Sequence, residues 1–196
     1  MSNEKEKLES LLSYATERPS DAAEALLSKY KNIPQIFNTD TYSIRDTLSG
    51  DMSTSLYIKL VAALTSRRNT DKFKMGKKHT EDEIKQYFVS LFFGASVEIA
   101  YMMSFDGLGR TLAVDKLSEG SINSSNIMPR KMIEIAKAKG AKSVIIAHNH
   151  PEGFAEPSQD DIESTRFLES ILHSAKLPLA AHYVVAGADV KRVEIR

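Results

Sequence analysis

The sequence predicts an α/β domain preceded by a small all-helical region. Three observations carry that prediction. Apolar residues recur at helical spacing up to residue 64, the period changes to two from Val97, and an unbroken apolar, β-branched run follows at 143–148. In the amino-terminal part, Leu8, Leu11, Leu12 and Ala15 share one helical face. Ala22, Ala25, Leu26 and Tyr30 share another, with Ser20 or Asp21 placed to cap that second helix. A third helix is expected after Gly50, carrying Leu56, Leu60, Ala63 and Leu64. The stretch SRRNTDKFKMGKKHT lacks apolar periodicity and contains a Gly, which reads as a basic linker. The expected domains are therefore a helical region over 1–68, a linker over 69–80 and an α/β domain over 81–196.

Thr80 and Glu83 have the spacing of a capping box, which predicts a helix from residue 81. In VEIAYMMSF, Glu98, Ala100, Met102 and Ser104 fall on one face of a strand. Val97, Ile99, Tyr101, Met103 and Phe105 fall on the other. DGLG turns this strand back into RTLAVDKL as a hairpin. Pro129 then opens a helix that Gly140 closes, a Pro-first, Gly-last arrangement. SVIIAH reads as a strand buried on both faces, with His148 at its carboxyl end. A second helix is expected over 156–175, with Ile162, Leu168, Ile171, Leu172 and Ala175 inward. LAAHYVVAG and VKRVEI close the sheet around a turn at Gly187.

Composition removes several classes of function. The chain of 196 residues has 26 Lys+Arg and 26 Asp+Glu, so it has no global positive field for nucleic acid. Charge is mildly uneven, with 13 Lys+Arg against 10 Asp+Glu in residues 1–80 and the reverse excess beyond. Cysteine is absent, which excludes disulfides, thiolate nucleophiles and zinc ribbons and leaves any metal to His and carboxylate. The opening MSNEKEKLES is charged, and no apolar run approaches the roughly 18–20 residues of a membrane span. A soluble, cytoplasmic protein is expected.

The chemistry concentrates in His148-Asn149-His150 and the segment through Asp161. Two histidines at i and i+2 on extended backbone point the same way and can reach one metal ion. A Pro/Gly-containing loop leads into a helix whose first turn carries Ser158 and Asp161, so one carboxylate can fold back as a third ligand. Three protein ligands leave a fourth position for water. Glu98, a carboxylate in an apolar strand, suits the proton acceptor that such a water needs. Ser158 suits a donor to the oxyanion of a tetrahedral intermediate. Without a metal, Ser158-x-x-Asp161 is also an ordinary helix cap, worth about 1 kcal/mol.

Glu98, His148-x-His150, seven residues and then Ser158-x-x-Asp161 together resemble the JAMM (Jab/MPN) metalloprotease motif. AHNHPEG, PSQDDIESTRFL, the upstream GSIN and PRKMI, and Glu98 eight residues before Asp106 are similar to its bacterial RadC-like branch. The helical region resembles the helix–hairpin–helix that precedes the catalytic domain there. The resemblance implies a three-layer, cytidine-deaminase-like α/β fold with a mixed sheet. It also implies Zn2+ held by His148, His150 and Asp161, Glu98 as general acid/base, and Ser158 as oxyanion donor. The expected activity is hydrolysis of an amide or isopeptide bond in a protein or peptide substrate. Two positions depart from the branch: Ala181 precedes His182 where an Asp-His pair is usual, and Met52 follows Gly50 where a DNA-binding hairpin carries Gly-x-Gly. Two other readings compete. One is a DNA-associated repair or mobile-element protein making weak phosphate contacts through Arg67–Lys78. The other is a metal-binding or metal-free interaction module that keeps the fold without turnover.

Overall fold

A computed structural model describes residues 2–30, 32–95, 97–120, 129–151 and 154–195. The chain divides into two compact units, Met1–Arg68 and Asn69–Arg196.

The first unit is helical: α1 (Ser2–Leu12), α2 (Pro19–Lys29), α3 (Ile33–Asn38), α4 (Thr41–Thr47) and most of α5 (Met52–Lys72). Its core is Leu8, Leu12, Ala23, Leu26, Tyr30, Ile36, Ile44 and Ile58. The α2 cap differs from the sequence expectation. Pro19 takes the first helical position, where its missing N–H costs nothing, and this makes Arg18 the N-cap without a side-chain bond. The α5 face also differs. Leu56, Leu60 and Leu64 are more than half exposed, while Thr54, Ser55, Ile58 and Ala62 are buried. Burial of the two hydroxyls is tolerated because both are satisfied locally. Thr54 Oγ1 donates to Asp51 Oδ2 at 2.6 Å, and Ser55 Oγ donates to the Asp51 carbonyl at 2.6 Å.

The expected linker is ordered in a way that the charge run hides. Residues 69–72 continue α5. Beyond them, Gly76 N–H donates to the Thr111 carbonyl and Thr111 N–H to the Lys77 carbonyl, tying the segment to the α/β unit. Phe73 stacks on His79, with ring centroids 3.8 Å apart, and His79 is half-buried.

The second unit is a sheet between helical layers. α6 (Glu81–Leu91) starts with both bonds of the Thr80–Glu83 capping box. The strands are β1 (Ile99–Phe105), β2 (Thr111–Glu119), β3 (Ser143–Asn149), β4 (Leu179–Ala186) and β5 (Asp189–Arg192), and α7 (Pro129–Ala138) and α8 (Gln159–Ser174) complete it. The sheet order is β2-β1-β3-β4-β5, with β3 and β4 parallel and the other pairs antiparallel. Strand alternation sends Ala100, Met102, Val144 and Ile146 toward α7 and α8, where they meet Met132, Leu168 and Leu172. The opposite face packs Met103, Ile145, Ala147, Tyr183 and Val185 against Ile84 and Phe88 of α6. This mixed α/β sandwich is the fold class that the sequence predicts. Residues 121–128, within GSIN and the approach to Pro129, and Glu152 and Gly153 lie outside the described residues.

Candidate metal centre

His148 leaves β3 at its carboxyl end, buried on the α8 side of the sheet, and His150 follows two residues on. α8 begins beside them because Ser158 caps it. Asp161 N–H donates to Ser158 Oγ at 3.1 Å, and Ser158 N–H donates to Asp161 Oδ2 at 2.7 Å. This box brings the Asp161 carboxylate to the two imidazoles. Asp161 Oδ1 stands 3.0 Å from His148 Nε2, Asp161 Oδ2 3.5 Å from His150 Nε2, and the two Nε2 atoms are 3.2 Å apart. All three residues offer ligand atoms within 4.8 Å of one another. Ligands about 2.0–2.1 Å from a tetrahedral ion stand about 3.3–3.4 Å from one another, so the donor set fits a single small divalent cation.

Electrostatics agree with the geometry. Burial by itself raises the Asp161 carboxyl, but hydrogen bonds from His148, His150 and Ser158 and the histidine charge hold it well below the usual carboxylate range. His150 is raised, first by its hydrogen bond to Asp161, and the charge of Glu98 adds to the effect. Glu98 is half-buried one residue before β1, rather than inside the strand. Ala100 pairs with His148 at the end of the β1–β3 ladder, two residues from Glu98. Ser158 Oγ donates to Asp161 Oδ2 at 2.6 Å, so its hydroxyl proton is engaged in the cap.

Three further residues complete the surroundings, and the motif alone points to none of them. Asn149 is buried between the two histidines. Its Oδ1 accepts from Ile99 N–H at 2.7 Å and its Nδ2 donates to the Val97 carbonyl at 3.0 Å, holding the backbone on both sides of Glu98. A polar amide in an apolar strand was the available signal. His182 lies behind His148, with its Nε2 2.9 Å from His148 Nδ1 and its own Nδ1 2.7 Å from Thr165 Oγ1. Burial pushes His182 down to about 3, and the neighbouring His148 adds to that, so the ring is neutral. Ala181 belongs to the cluster on the α6 side. The departure from the usual Asp-His pair therefore falls on the face away from the donor atoms.

Comparison with known proteins accounts for this arrangement. The RadC-like JAB domain family matches residues 78–192, more than half of the chain. A UPF0758 protein of Vibrio vulnificus is 27% identical over 171 residues, 87% of this chain and 76% of its own length. One from Photobacterium profundum is 30% identical over 129 residues, 60% of this chain and 58% of its own length. One from Cellvibrio japonicus is 38% identical over 93 residues, 47% of this chain and 42% of its own length. With two histidines and an acidic helix start converging inside the matched segment, the chain belongs to the RadC-like JAB domain family.

Proposed function

We propose that this protein is a zinc-dependent hydrolase that cleaves an amide or isopeptide bond in a protein or peptide substrate. The observation that carries the reading is the convergence of His148 Nε2, His150 Nε2 and the Asp161 carboxylate, with the Glu98 charge beside them. Zinc is the metal of this reading because two imidazoles and one carboxylate suit it and leave a coordination position open. Bound there, it would supply the Lewis acidity that makes water a nucleophile near neutral pH. Glu98 takes the proton of the attacking water and passes it to the leaving amine. Ser158 turns its hydroxyl from Asp161 to the oxyanion of the tetrahedral intermediate. Asn149 keeps Glu98 at its station by gripping the flanking peptide groups.

The test is a peptide library incubated with zinc-loaded protein, with and without chelator, and read by mass spectrometry for new amine termini. Glu98→Gln keeps the shape but cannot take the proton, so turnover should fall about 10²- to 10⁴-fold with zinc content unchanged. Loss of zinc together with turnover would make Glu98 a ligand and refute its assigned role.

Contact with DNA, in this reading, is weak and salt-dependent and runs through Arg67, Arg68, Lys72, Lys74, Lys77 and Lys78. The turn at Gly50 is a poor phosphate site because Asp51 places a carboxylate there, bonded to Thr54 N–H and Oγ1. Neutralising Arg67, Arg68, Lys72 and Lys74 should abolish binding at low salt. Tight binding by that variant at physiological salt would refute this account.

A further inference from the structure

Behind the donor atoms, three buried polar contacts admit one arrangement of protons. The Asp161 carbonyl has lone pairs and no proton, so its bond with Thr165 Oγ1 uses the hydroxyl proton. A hydroxyl has one proton to give, and Thr165 Oγ1 therefore accepts from His182 Nδ1. A buried imidazole that gives its Nδ1 proton to Thr165 and carries no second proton offers Nε2 as an acceptor. His148 Nδ1 lies 2.9 Å from that Nε2, so His148 also carries its proton on Nδ1. In a neutral His148 ring, as metal binding requires, Nε2 is then the atom without a proton, and it faces Asp161 and His150. Water offers little competition, because Thr165 and His182 are each only 2% exposed.

The geometry points to Thr165 and His182 as positioning residues that lock His148 in the Nδ1–H tautomer and leave Nε2 free for the metal. The inference rests on the reading of His148 as a metal ligand and adds two residues that touch neither metal nor substrate. His150 needs no such pair. Its Nδ1 lies 3.0 Å from the Phe154 carbonyl, an acceptor that local backbone supplies. His148 sits deeper, and its support comes from β4 and from α8, one turn beyond Asp161. The chain of bonds thus begins on the backbone of one ligand residue and ends on the ring of another, coupling the α8 start to the end of β3.

Two measurements on the full chain test this. Long-range proton–nitrogen NMR correlations read the tautomer of each imidazole, both in metal-free protein and during zinc titration. Protons on Nδ1 of both His148 and His182 are expected. Competition with a chromogenic chelator reads zinc affinity. Thr165→Val should mix the His148 tautomers and weaken zinc binding about 10- to 100-fold, whereas Thr165→Ser should stay within about threefold. His182→Leu should weaken binding similarly, and His182→Gln, whose amide oxygen can accept from His148 Nδ1, should recover most of it. A proton on His182 Nε2 in the wild type overturns the inference. So does a folded Thr165→Val protein with unchanged tautomers and unchanged zinc affinity. If the wild type takes up no zinc yet both rings carry Nδ1–H, the tautomer lock stands and the reading of His148 as a ligand falls.

Discussion

The two faces of the sheet use the same strands for different ends. Toward α6, alternate residues of β1, β3 and β4 build an apolar, aromatic layer in which Phe88, Phe92 and Tyr101 pack ring against ring. Toward α7 and α8, the same strands carry Ala100, Met102, Val144 and Ile146, and at one end the layer turns polar with His148 and His182. A one-residue step along β4 crosses from Ala181 to His182, and so from a packing contact to a hydrogen bond with a candidate ligand. Burial is similar on both sides, but its meaning differs. An apolar face tolerates exchange of similar volumes, whereas a buried polar chain needs every partner present.

If the proposed zinc reading holds, changing both His148 and His150 to Ala should have the largest effect, abolishing zinc uptake with the aromatic face intact. Elemental analysis of protein purified without chelator reads it, and undiminished zinc would move the metal elsewhere. On the opposite face, Phe88→Ala should cost about 3–5 kcal/mol of stability through the cavity it leaves, with zinc stoichiometry unchanged in the folded fraction. Denaturant unfolding of the metal-free protein gives that cost. A folded Phe88→Ala protein that no longer takes up zinc would show that the faces are not independent.

The smallest effect separates the faces by pH. The His182 pKa is about 3 in the folded protein and about 6.5 when unfolded, so the unfolded chain binds the extra proton. Stability of the metal-free protein therefore falls as pH drops below about 6.5. Asp161 adds its own loss below about pH 4, and His150, raised by Asp161, acts in the opposite sense above about 6.5. Tyr183 is pushed up to about 12 by burial and by its bond to Glu81, so stability is lost as pH rises past the unfolded value of about 10. His182→Gln should flatten the acid limb alone, and Tyr183→Phe the alkaline limb alone. Chemical denaturation across pH 4–11 checks both, and a shift of both limbs by either variant would break the division.

Much of the α/β unit is legible residue by residue. The alternation from Val97, the apolar run into His148, the Thr80–Glu83 box and the Pro129 to Gly140 helix all appear at or within a few residues of the expected places. Each depends on contacts or backbone preferences spanning only a few positions. The helical unit is less legible at its surfaces. On α5, the large leucines look like the core, but Thr54, Ser55, Ile58 and Ala62 are the residues that the helix buries.

The candidate ligand set can be read without knowing the fold, because His148, His150, Ser158 and Asp161 lie within fourteen residues of one strand–loop–helix unit. Extended backbone aligns i and i+2, and a capping box aims an acidic residue back across a helix start. The surroundings of those ligands depend on long-range contacts. The pairing of β1 on β3 brings the backbone beside Glu98 to the site, Asn149 reaches fifty residues back to Ile99, and His182 reaches His148 because β4 lies parallel to β3. No local pattern encodes those meetings, since they follow from which strands become neighbours, and that is settled by burying both faces of the sheet at once.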